Sequence, residues 1–148
     1  MDLKKLPNFD QIGIVVKNIE KALPFYRSLF NFKSDLNIVE QDTEVIYRGE
    51  PATFRLKKIM EHFGGKQFEI VEVVESKGDH LYKIFLDGDK EGLHHIGIYT
   101  KNSDKFIEIF KNEYNIDVIQ TGKVGKRVSF YYLDTLDKLG WYLELIGF

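Results

Sequence analysis

Hydrophobic residues alternate with polar or small residues in four short stretches, and a period of two is typical of β-strands. Residues 9–14 and 93–98 form one similar pair, with the sequences FDQIGI and LHHIGI. Residues 68–71 and 143–146 form a second pair, with the sequences FEIV and LELI. The two pairs occur in the same order along the chain. The pattern therefore indicates an internal repeat.

An amphipathic helix is predicted after the first strand of each repeat. Asn18 is a favourable N-cap residue, and apolar residues follow it at spacings of three and four. The second helix is predicted to begin near Ser103, where the same spacing recurs. A further helical stretch at about residues 79–87 connects the two halves. Each half is thus predicted as β-α-β-β-β, with module 1 at about 8–75 and module 2 at about 92–148.

Neither module is large enough to bury a helix and both faces of a sheet by itself. We therefore predict a single α+β domain over residues 1–148. Its two tandem modules form a curved mixed sheet, with a concave metal site and with the helices outside.

Strand alternation also predicts which side chains face the concave side of the sheet. The apolar positions should receive the helices, which leaves one polar side chain on each of four strands facing the concave side. These candidates are Gln11, Glu69, His95 and Glu144. Gly13 and Gly97 come two residues after Gln11 and His95, and glycine within a strand often permits close approach of another group.

Two carboxylates facing one another resist ionisation unless a cation is present. One imidazole nitrogen with several oxygen donors suits Zn, Co, Ni, Mn or Fe. Four protein donors that leave positions open are typical of a catalytic site. The sequence therefore predicts one divalent metal ion held by these four residues.

Other candidate residues follow from the predicted hairpin at Gly64-Gly65, which places Met60 opposite Glu69. The inward-facing residues would then be Phe54, Leu56, Lys58 and Met60. The apolar ones suit an acyl group, and Lys58 suits either an anionic group or a solvated sheet edge. Tyr99 and Tyr142 are candidate pocket walls, although core filling explains them equally well. Alternation places His94 on the helix-facing side, and His62 and His80 are predicted at the surface.

Composition narrows the functional classes. A net charge of −2 gives no footprint for nucleic acid, and the absence of cysteine excludes disulfides, thiolate metal sites and a cysteine nucleophile. The start of the chain, Met1 to Lys5, has no long apolar stretch, so neither a signal peptide nor a membrane span is expected. A cytoplasmic protein that acts on a small molecule is the resulting expectation.

Residues 10–16, 91–97 and 139–145 are similar to the vicinal-oxygen-chelate superfamily, which includes glyoxalase I, methylmalonyl-CoA epimerases, extradiol dioxygenases and bleomycin-resistance proteins. The resemblance implies metal ligands at Gln11, Glu69, His95 and Glu144. It also implies a catalytic base, with Glu144 as the first candidate and Glu69 as the second. Residues 81–86 leading into 91–96 resemble the epimerase branch, whereas the Gln, Glu, His, Glu donor set resembles glyoxalase I.

By this resemblance we expect a metal-dependent isomerase that moves a proton at the carbon next to a carbonyl, in the manner of methylmalonyl-CoA epimerase. The first alternative is a lactoylglutathione lyase of the glyoxalase I type, acting on a thiol adduct. The second is a metal-free ligand-binding or resistance protein of the same fold. A single histidine among the four donors disfavours an extradiol dioxygenase. A homodimer is also expected by resemblance.

Overall fold

The computed structural model describes residues 5–32 and 37–148, so the predictions made for residues 1–4 lie outside the described part. Eight strands and four helices are present in these residues. The strands are β1 (Gln11–Val15), β2 (Val39–Tyr47), β3 (Glu50–Phe63), β4 (Lys66–Lys77), β5 (Gly92–Thr100), β6 (Val118–Val124), β7 (Val128–Leu133) and β8 (Tyr142–Gly147). The helices are α1 (Ile19–Leu29), α2 (Leu81–Asp87), α3 (Ser103–Tyr114) and α4 (Leu136–Leu139).

The strands form one mixed sheet in the order β1-β4-β3-β2-β6-β7-β8-β5. Each module contributes four neighbouring strands, so the predicted α+β class and the β-α-β-β-β order are confirmed. The sheet curves further than expected and closes into a barrel. One junction is the antiparallel pair β1–β5, and the other is β2–β6, where 45–47 pair with 120–122. The short helix α4 was not predicted.

The two long helices pack on the outer face of the barrel, as predicted. Asn18 caps α1 by accepting a hydrogen bond from the Lys21 N–H at 3.0 Å. Ile19 and Leu23 of α1 are buried with apolar residues of β1, β3 and β4, and Phe106 of α3 is buried with residues of β5, β7 and β8. None of the helices in the described ranges is long and apolar enough to cross a membrane.

Helix α2 differs from the expectation that all helices lie outside, because it packs inside the barrel. Leu81, Tyr82 and Phe85 are buried in a cluster that includes inward-facing residues of β1–β4 and β6–β8. An eight-stranded barrel has an interior that side chains must fill, and the apolar face of α2 fills part of it. The linker between the modules thus becomes part of the core.

The β3–β4 hairpin has the predicted two-residue turn. Gly64 and Gly65 have φ values of +60° and +78°, a left-handed conformation that glycine adopts readily. The register places Met60 opposite Glu69, which confirms the predicted pairing. The inward direction of alternate β3 residues follows from this register.

Candidate functional site

Four neighbouring strands, β4-β1-β5-β8, bring the four predicted donor residues together inside the barrel. The Nε2 atom of His95 lies 3.0 Å from Oε1 of Gln11. It lies 3.8 Å from Oε1 of Glu69 and 3.7 Å from Oε1 of Glu144. All four residues are buried. Strand alternation therefore predicted correctly that these side chains share one face, and the structure adds that His95 is at their centre.

The two glycines of the repeated motif make room for these side chains. Gly13 lies beside Glu69 in β4 and beside His95 in β5, and a Cβ at Gly13 would overlap the imidazole ring of His95. Gly97 pairs with Glu144, and a Cβ there would lie 3.1 Å from its Oε1 atom. Each glycine thus permits the close approach that was expected from its place in a strand.

Burial controls the charges of the site. Burial and the neighbouring Glu69 carboxylate raise the pKa of Glu144 to about 8, against an opposing hydrogen bond from Tyr132. Burial also raises the pKa of Glu69, although the Lys58 ammonium, 3.7 Å from Oε2 of Glu69, acts in the opposite direction. Burial lowers the pKa of His95 to about 3, so its imidazole is neutral. The two acids resist simultaneous ionisation without a cation.

A pair of tyrosines links the two carboxyl groups. Hydrogen bonding by the Tyr82 hydroxyl of α2 acts to lower the pKa of Glu69, and hydrogen bonding by the Tyr132 hydroxyl of β7 acts to lower the pKa of Glu144. Sequence reasoning missed both residues. Tyr132 could have been found from pairing, because it lies opposite Glu144 in the β7–β8 register. Strand alternation gives no information about Tyr82, which lies on the linker helix.

His94 lies inside the barrel, so its predicted position on the face of the outer helices is wrong. The register between β1 and β5 shifts between Gly13 and Ile14, which leaves His94 as an extra residue on β5. This bulge places His94 and His95 side by side, with their Nδ1 atoms 2.9 Å apart. The His94 ring packs against Tyr82, with ring centroids 4.5 Å apart, and its burial lowers its pKa well below the usual value.

Gln67 and Tyr99 form the rim next to the donor residues. The side-chain N–H of Gln11 donates to Oε1 of Gln67 at 3.1 Å, and the Tyr99 hydroxyl donates to the same atom at 2.8 Å. Tyr99 is 36% exposed, so this side of the site is open to solvent. Gln67 was missed, although it precedes Glu69 by two residues on the same strand and so shares its face.

The other predicted substrate-binding residues lie at two depths. Lys58 and Met60 are partly buried beside Glu69. Phe54, Leu56 and Tyr142 are buried deeper, in the interior cluster that contains α2. That location favours core filling for these three, and their contact with substrate stays a prediction.

His80 is fully buried, so its predicted surface position is wrong, whereas His62 is exposed as predicted. The His80 side chain caps α2, because its Nδ1 atom accepts a hydrogen bond from the Lys83 N–H at 3.4 Å. Its Nε2 atom lies 2.8 Å from the Ser76 hydroxyl, and its ring stacks on Phe54 at a centroid distance of 4.0 Å. Burial lowers the pKa of His80 to about 4.

Metal binding stays a prediction. Within 5–32 and 37–148, no group of three or more His, Cys, Asp or Glu side chains has an arrangement that would hold a metal ion. The donor set nevertheless fits one chemically. The Oε1 atom of Glu144 is buried without a hydrogen-bond partner, and it lies beside the neutral imidazole of His95. A buried acceptor without a partner is uncommon, and a cation bound between the donor residues would satisfy it.

A groove among the described residues lies away from the donors. It has a volume of about 1470 Å³ and is formed by β2, β3, β6 and the adjoining parts of β4 and β7. None of the four donor residues lines it. The chemistry of the donor set, and not the size of the cavity, therefore identifies the candidate site.

Solved structures with the same fold include two epimerases. The methylmalonyl-CoA epimerase of Mycobacterium tuberculosis is 13% identical, with a TM-score of 0.65 over 99% of this chain and 91% of that chain. A variant of the Streptomyces coelicolor enzyme in complex with 2-nitronate-propionyl-CoA is 20% identical, with a TM-score of 0.60 over 97% and 95%. A hypothetical protein from Bacillus halodurans C-125 is 23% identical, with a TM-score of 0.63 over 95% and 94%.

These identities are low, so the structural similarity establishes the fold alone. No curated protein matches the chain in sequence. A family match, however, extends over residues 10–132 and includes three of the four donor residues. The chain therefore belongs to the glyoxalase/bleomycin resistance protein/dioxygenase superfamily.

Proposed function

We propose that the protein is a metal-dependent isomerase that moves a proton at the carbon next to a carbonyl, with an acyl-CoA thioester as substrate. One observation is the main support for this proposal. Oxygen atoms of Gln11, Glu69 and Glu144 lie within 3.8 Å of Nε2 of His95, and the four residues lie on four neighbouring strands. The ligand of the Streptomyces coelicolor epimerase, 2-nitronate-propionyl-CoA, supports the choice of an acyl-CoA.

The residues that would hold one divalent ion are Gln11, Glu69, His95 and Glu144. Zn, Co, Ni, Mn and Fe all suit one imidazole with several oxygen donors. Such an ion would act as a Lewis acid on the carbonyl oxygen of the substrate. For His95 to offer the lone pair of Nε2, its proton must lie on Nδ1, where the neutral His94 can accept it in a hydrogen bond.

Glu144 and Glu69 supply the proton-transfer groups. Their strands, β8 and β4, lie on opposite sides of the β1–β5 pair, so the two acids can face opposite sides of a substrate bound between them. We assign Glu144 as the base that takes the proton from the carbon, and Glu69 as the acid that returns a proton from the other side. Together, the two transfers would invert the configuration of the carbon.

A lactoylglutathione lyase of the glyoxalase I type is the second candidate, because the Gln, Glu, His, Glu donor set resembles that branch. The same acids would then move a proton between neighbouring carbons of a thiol adduct of an α-ketoaldehyde. Either activity is compatible with the homodimer expected from the superfamily. Substrate assays separate the two candidates.

Metal content tests the proposal first. We expect about one divalent ion per chain after incubation with metal and removal of the excess, and loss of that ion in Glu144→Ala and His95→Ala. His62→Ala, at an exposed histidine, and Glu75→Gln, at an exposed residue of β4, are the matched controls and should keep it. If the wild-type protein takes up no metal, the enzyme proposal is overturned, and a metal-free ligand-binding protein of this fold replaces it.

Proton exchange tests the reaction. Methylmalonyl-CoA incubated with the metal-loaded protein in heavy water should gain deuterium at the carbon next to the thioester, as measured by mass spectrometry. Glu144→Gln should abolish the exchange while leaving measurable metal binding. Retained exchange in that variant would refute the role of Glu144 as the base. Turnover of the hemithioacetal of methylglyoxal, without exchange of methylmalonyl-CoA, would favour the lyase.

A further inference from the structure

The N-terminus of α3 borders a second groove, separate from the donor residues. This groove has a volume of about 410 Å³ and lies between the first turn of α3, the beginning of β7 and the end of β8. Helix α3 has 12 residues, so its N–H dipoles align over about three turns. The groove therefore receives a partial positive charge from the backbone.

The backbone N–H groups in the first turn of α3 are not capped by the side chain of the N-cap residue, in contrast to those of α1, the matching helix of module 1. The N–H groups that begin α1 are satisfied by side chains, because Asn18 accepts from Lys21 and the Glu72 carboxylate accepts from Ile19 at 2.8 Å. The N-cap residue of α3, Asn102, makes no such side-chain hydrogen bond. The first backbone N–H groups of α3 are thus available to a ligand.

A buried hydroxyl is a second, independent indication of an anionic ligand in this groove. Ser103, the first residue of α3, lines the groove and is only 8% exposed. Its Oγ atom has no hydrogen-bond partner among the described residues. The hydroxyl packs against Gly147, where a Cβ would lie only 2.6 Å from Oγ. A buried hydroxyl without an acceptor is unfavourable, and an anionic oxygen in the groove would relieve this.

The charged side chains around the groove are mostly cationic. Lys101, Lys105 and Arg127 line it, and none of them forms an ion pair with a described residue. Asp104 is the single acidic residue that lines it within the described ranges. Three cations, one acid and a helix N-terminus together favour an anion.

We infer that this groove is a binding site for a phosphate group, held by the first-turn N–H groups, the Ser103 hydroxyl and the three cationic side chains. A phosphate has enough acceptor oxygens to satisfy several donors at once. The anion site itself is independent of the enzyme proposal. Its assignment to the phosphorylated end of an acyl-CoA substrate rests on the proposed function.

Contacts connect this groove with the rim of the donor site. Lys101 lies 5.5 Å from the ring centroid of Phe148, and the Phe148 ring lies 6.4 Å from that of Tyr99. Tyr99 in turn donates to Gln67, which accepts from Gln11. A ligand with its reacting end at the donor residues could therefore extend past Tyr99 and Phe148 to the N-terminus of α3.

Binding of inorganic phosphate to the full chain, measured by titration calorimetry, tests the anion site. Arg127→Gln and Ser103→Ala should each weaken binding by about fivefold to tenfold, because each removes a donor to an anion. Lys126→Gln, at the neighbouring exposed lysine that does not line the groove, is the matched control and should change the affinity less than about twofold. Asp104→Asn should tighten binding.

Ser103→Ala also separates a ligand-binding role from a structural one. Because its hydroxyl has no partner in the ligand-free protein, its removal should leave the thermal midpoint of unfolding unchanged or slightly higher. Phosphate should then raise that midpoint less in the variant than in the wild type. Equal phosphate affinity in wild type, Ser103→Ala and Arg127→Gln would overturn the site, as would the absence of any binding.

The source of the phosphate is tested with coenzyme A and with pantetheine, which lacks phosphate. If the site holds the end of an acyl-CoA, coenzyme A should bind more tightly than inorganic phosphate. The two variants should then weaken coenzyme A without affecting pantetheine. Phosphate binding without tighter binding of coenzyme A would overturn the assignment to an acyl-CoA and would support a site for free phosphate. The experiments with phosphate, coenzyme A and pantetheine measure binding only, so their outcome does not depend on metal uptake or proton exchange.

Discussion

The imidazole of His95 lies over the α-carbon of Gly13, in space that the side chain of any other residue would fill. The two residues face each other across the β1–β5 pair, and a Cβ at Gly13 would overlap ring atoms of His95. The ring can therefore reach Gln11, Glu69 and Glu144 only because position 13 has no side chain. This contact explains physically why a glycine follows Gln11 at a spacing of two.

Gly13→Ala should displace the ring of His95. The strand and the ring must move to relieve the overlap, so we expect the free energy of unfolding to fall by about 1–3 kcal/mol. We also expect the protein to lose most of its affinity for divalent metal, because His95 supplies the only nitrogen donor. Chemical denaturation measures the first effect, and metal titration measures the second.

Gly88→Ala is the control for the loss of a glycine. Gly88 follows α2 with φ of −76°, and a Cβ there would meet its nearest neighbours at 3.4 Å or more. This substitution should change stability by less than about 1 kcal/mol and leave metal affinity unchanged. If Gly13→Ala bound metal as tightly as Gly88→Ala, the close approach of His95 to Gly13 would not matter for the site.

The shared face of the four donor residues could be predicted from sequence because each lies in a regular part of a strand. Alternation failed at His94, where the β-bulge adds one residue to β5 and so reverses the side to which the next residue points. A bulge depends on how two strands pair, and hydrophobic periodicity carries no information about pairing. The barrel closure through β2 and β6 was missed for the same reason.

The location of α2 could not be predicted from its own sequence. An apolar face that contains Leu81, Tyr82 and Phe85 is compatible with either side of a sheet, and only the closed barrel creates an interior that this face can fill. The wrong surface position of His80 and the omission of Tyr82 both follow from this. His80 looked like a surface residue because its neighbours in sequence are polar, yet it begins a helix that is buried.

Tyr132→Phe tests the hydrogen bond between β7 and the candidate base. The Tyr132 hydroxyl opposes the effect of burial on Glu144, so its removal should raise the pKa of Glu144 further above about 8 in the metal-free protein. Carbon-13 NMR of labelled glutamate side chains measures this pKa directly. Tyr131→Phe is the control, because Tyr131 packs with the outer residues near α3. A pKa unchanged by Tyr132→Phe would show that the hydrogen bond has no influence on Glu144.

Lys58→Gln should affect cation and anion binding in opposite directions. The Lys58 ammonium lies 3.7 Å from Oε2 of Glu69, so it repels a cation that would bind there. Its removal should tighten divalent-metal binding by on the order of tenfold, measured above neutral pH to limit competition from protons. Binding of an anionic acyl-CoA should weaken if Lys58 contacts it.

Lys57→Gln is the matched control for Lys58→Gln. Lys57 is the preceding residue on β3, but it pairs with Glu20 of α1 at 3.0 Å on the outer face. The loss of its charge should leave metal affinity within about twofold of the wild type. If both variants behaved alike, Lys58 would be a solvated lysine at the sheet edge, and the predicted contact with substrate would be wrong.

His80→Asn should reduce the sensitivity of the fold to acid. The folded-state pKa of His80 is about 4, whereas the ordinary value is 6.5, so between these values the unfolded chain binds a proton that the folded chain does not. The free energy of unfolding therefore falls as pH is lowered through this window, and His80 accounts for about 3 kcal/mol of the fall. Above pH 6.5 its contribution is fully present.

Asparagine can still cap α2, so the variant should fold, with a lower stability at neutral pH from the lost stacking on Phe54. Urea denaturation at a series of pH values from 4 to 7 should show a shallower decline for the variant than for the wild type. Some decline should persist, because His94 and His95 are also buried and neutral. His62→Asn, at an exposed histidine, should follow the wild-type curve. Parallel curves for wild type and His80→Asn would mean that His80 is not the buried neutral group that its contacts with Ser76 and Phe54 indicate.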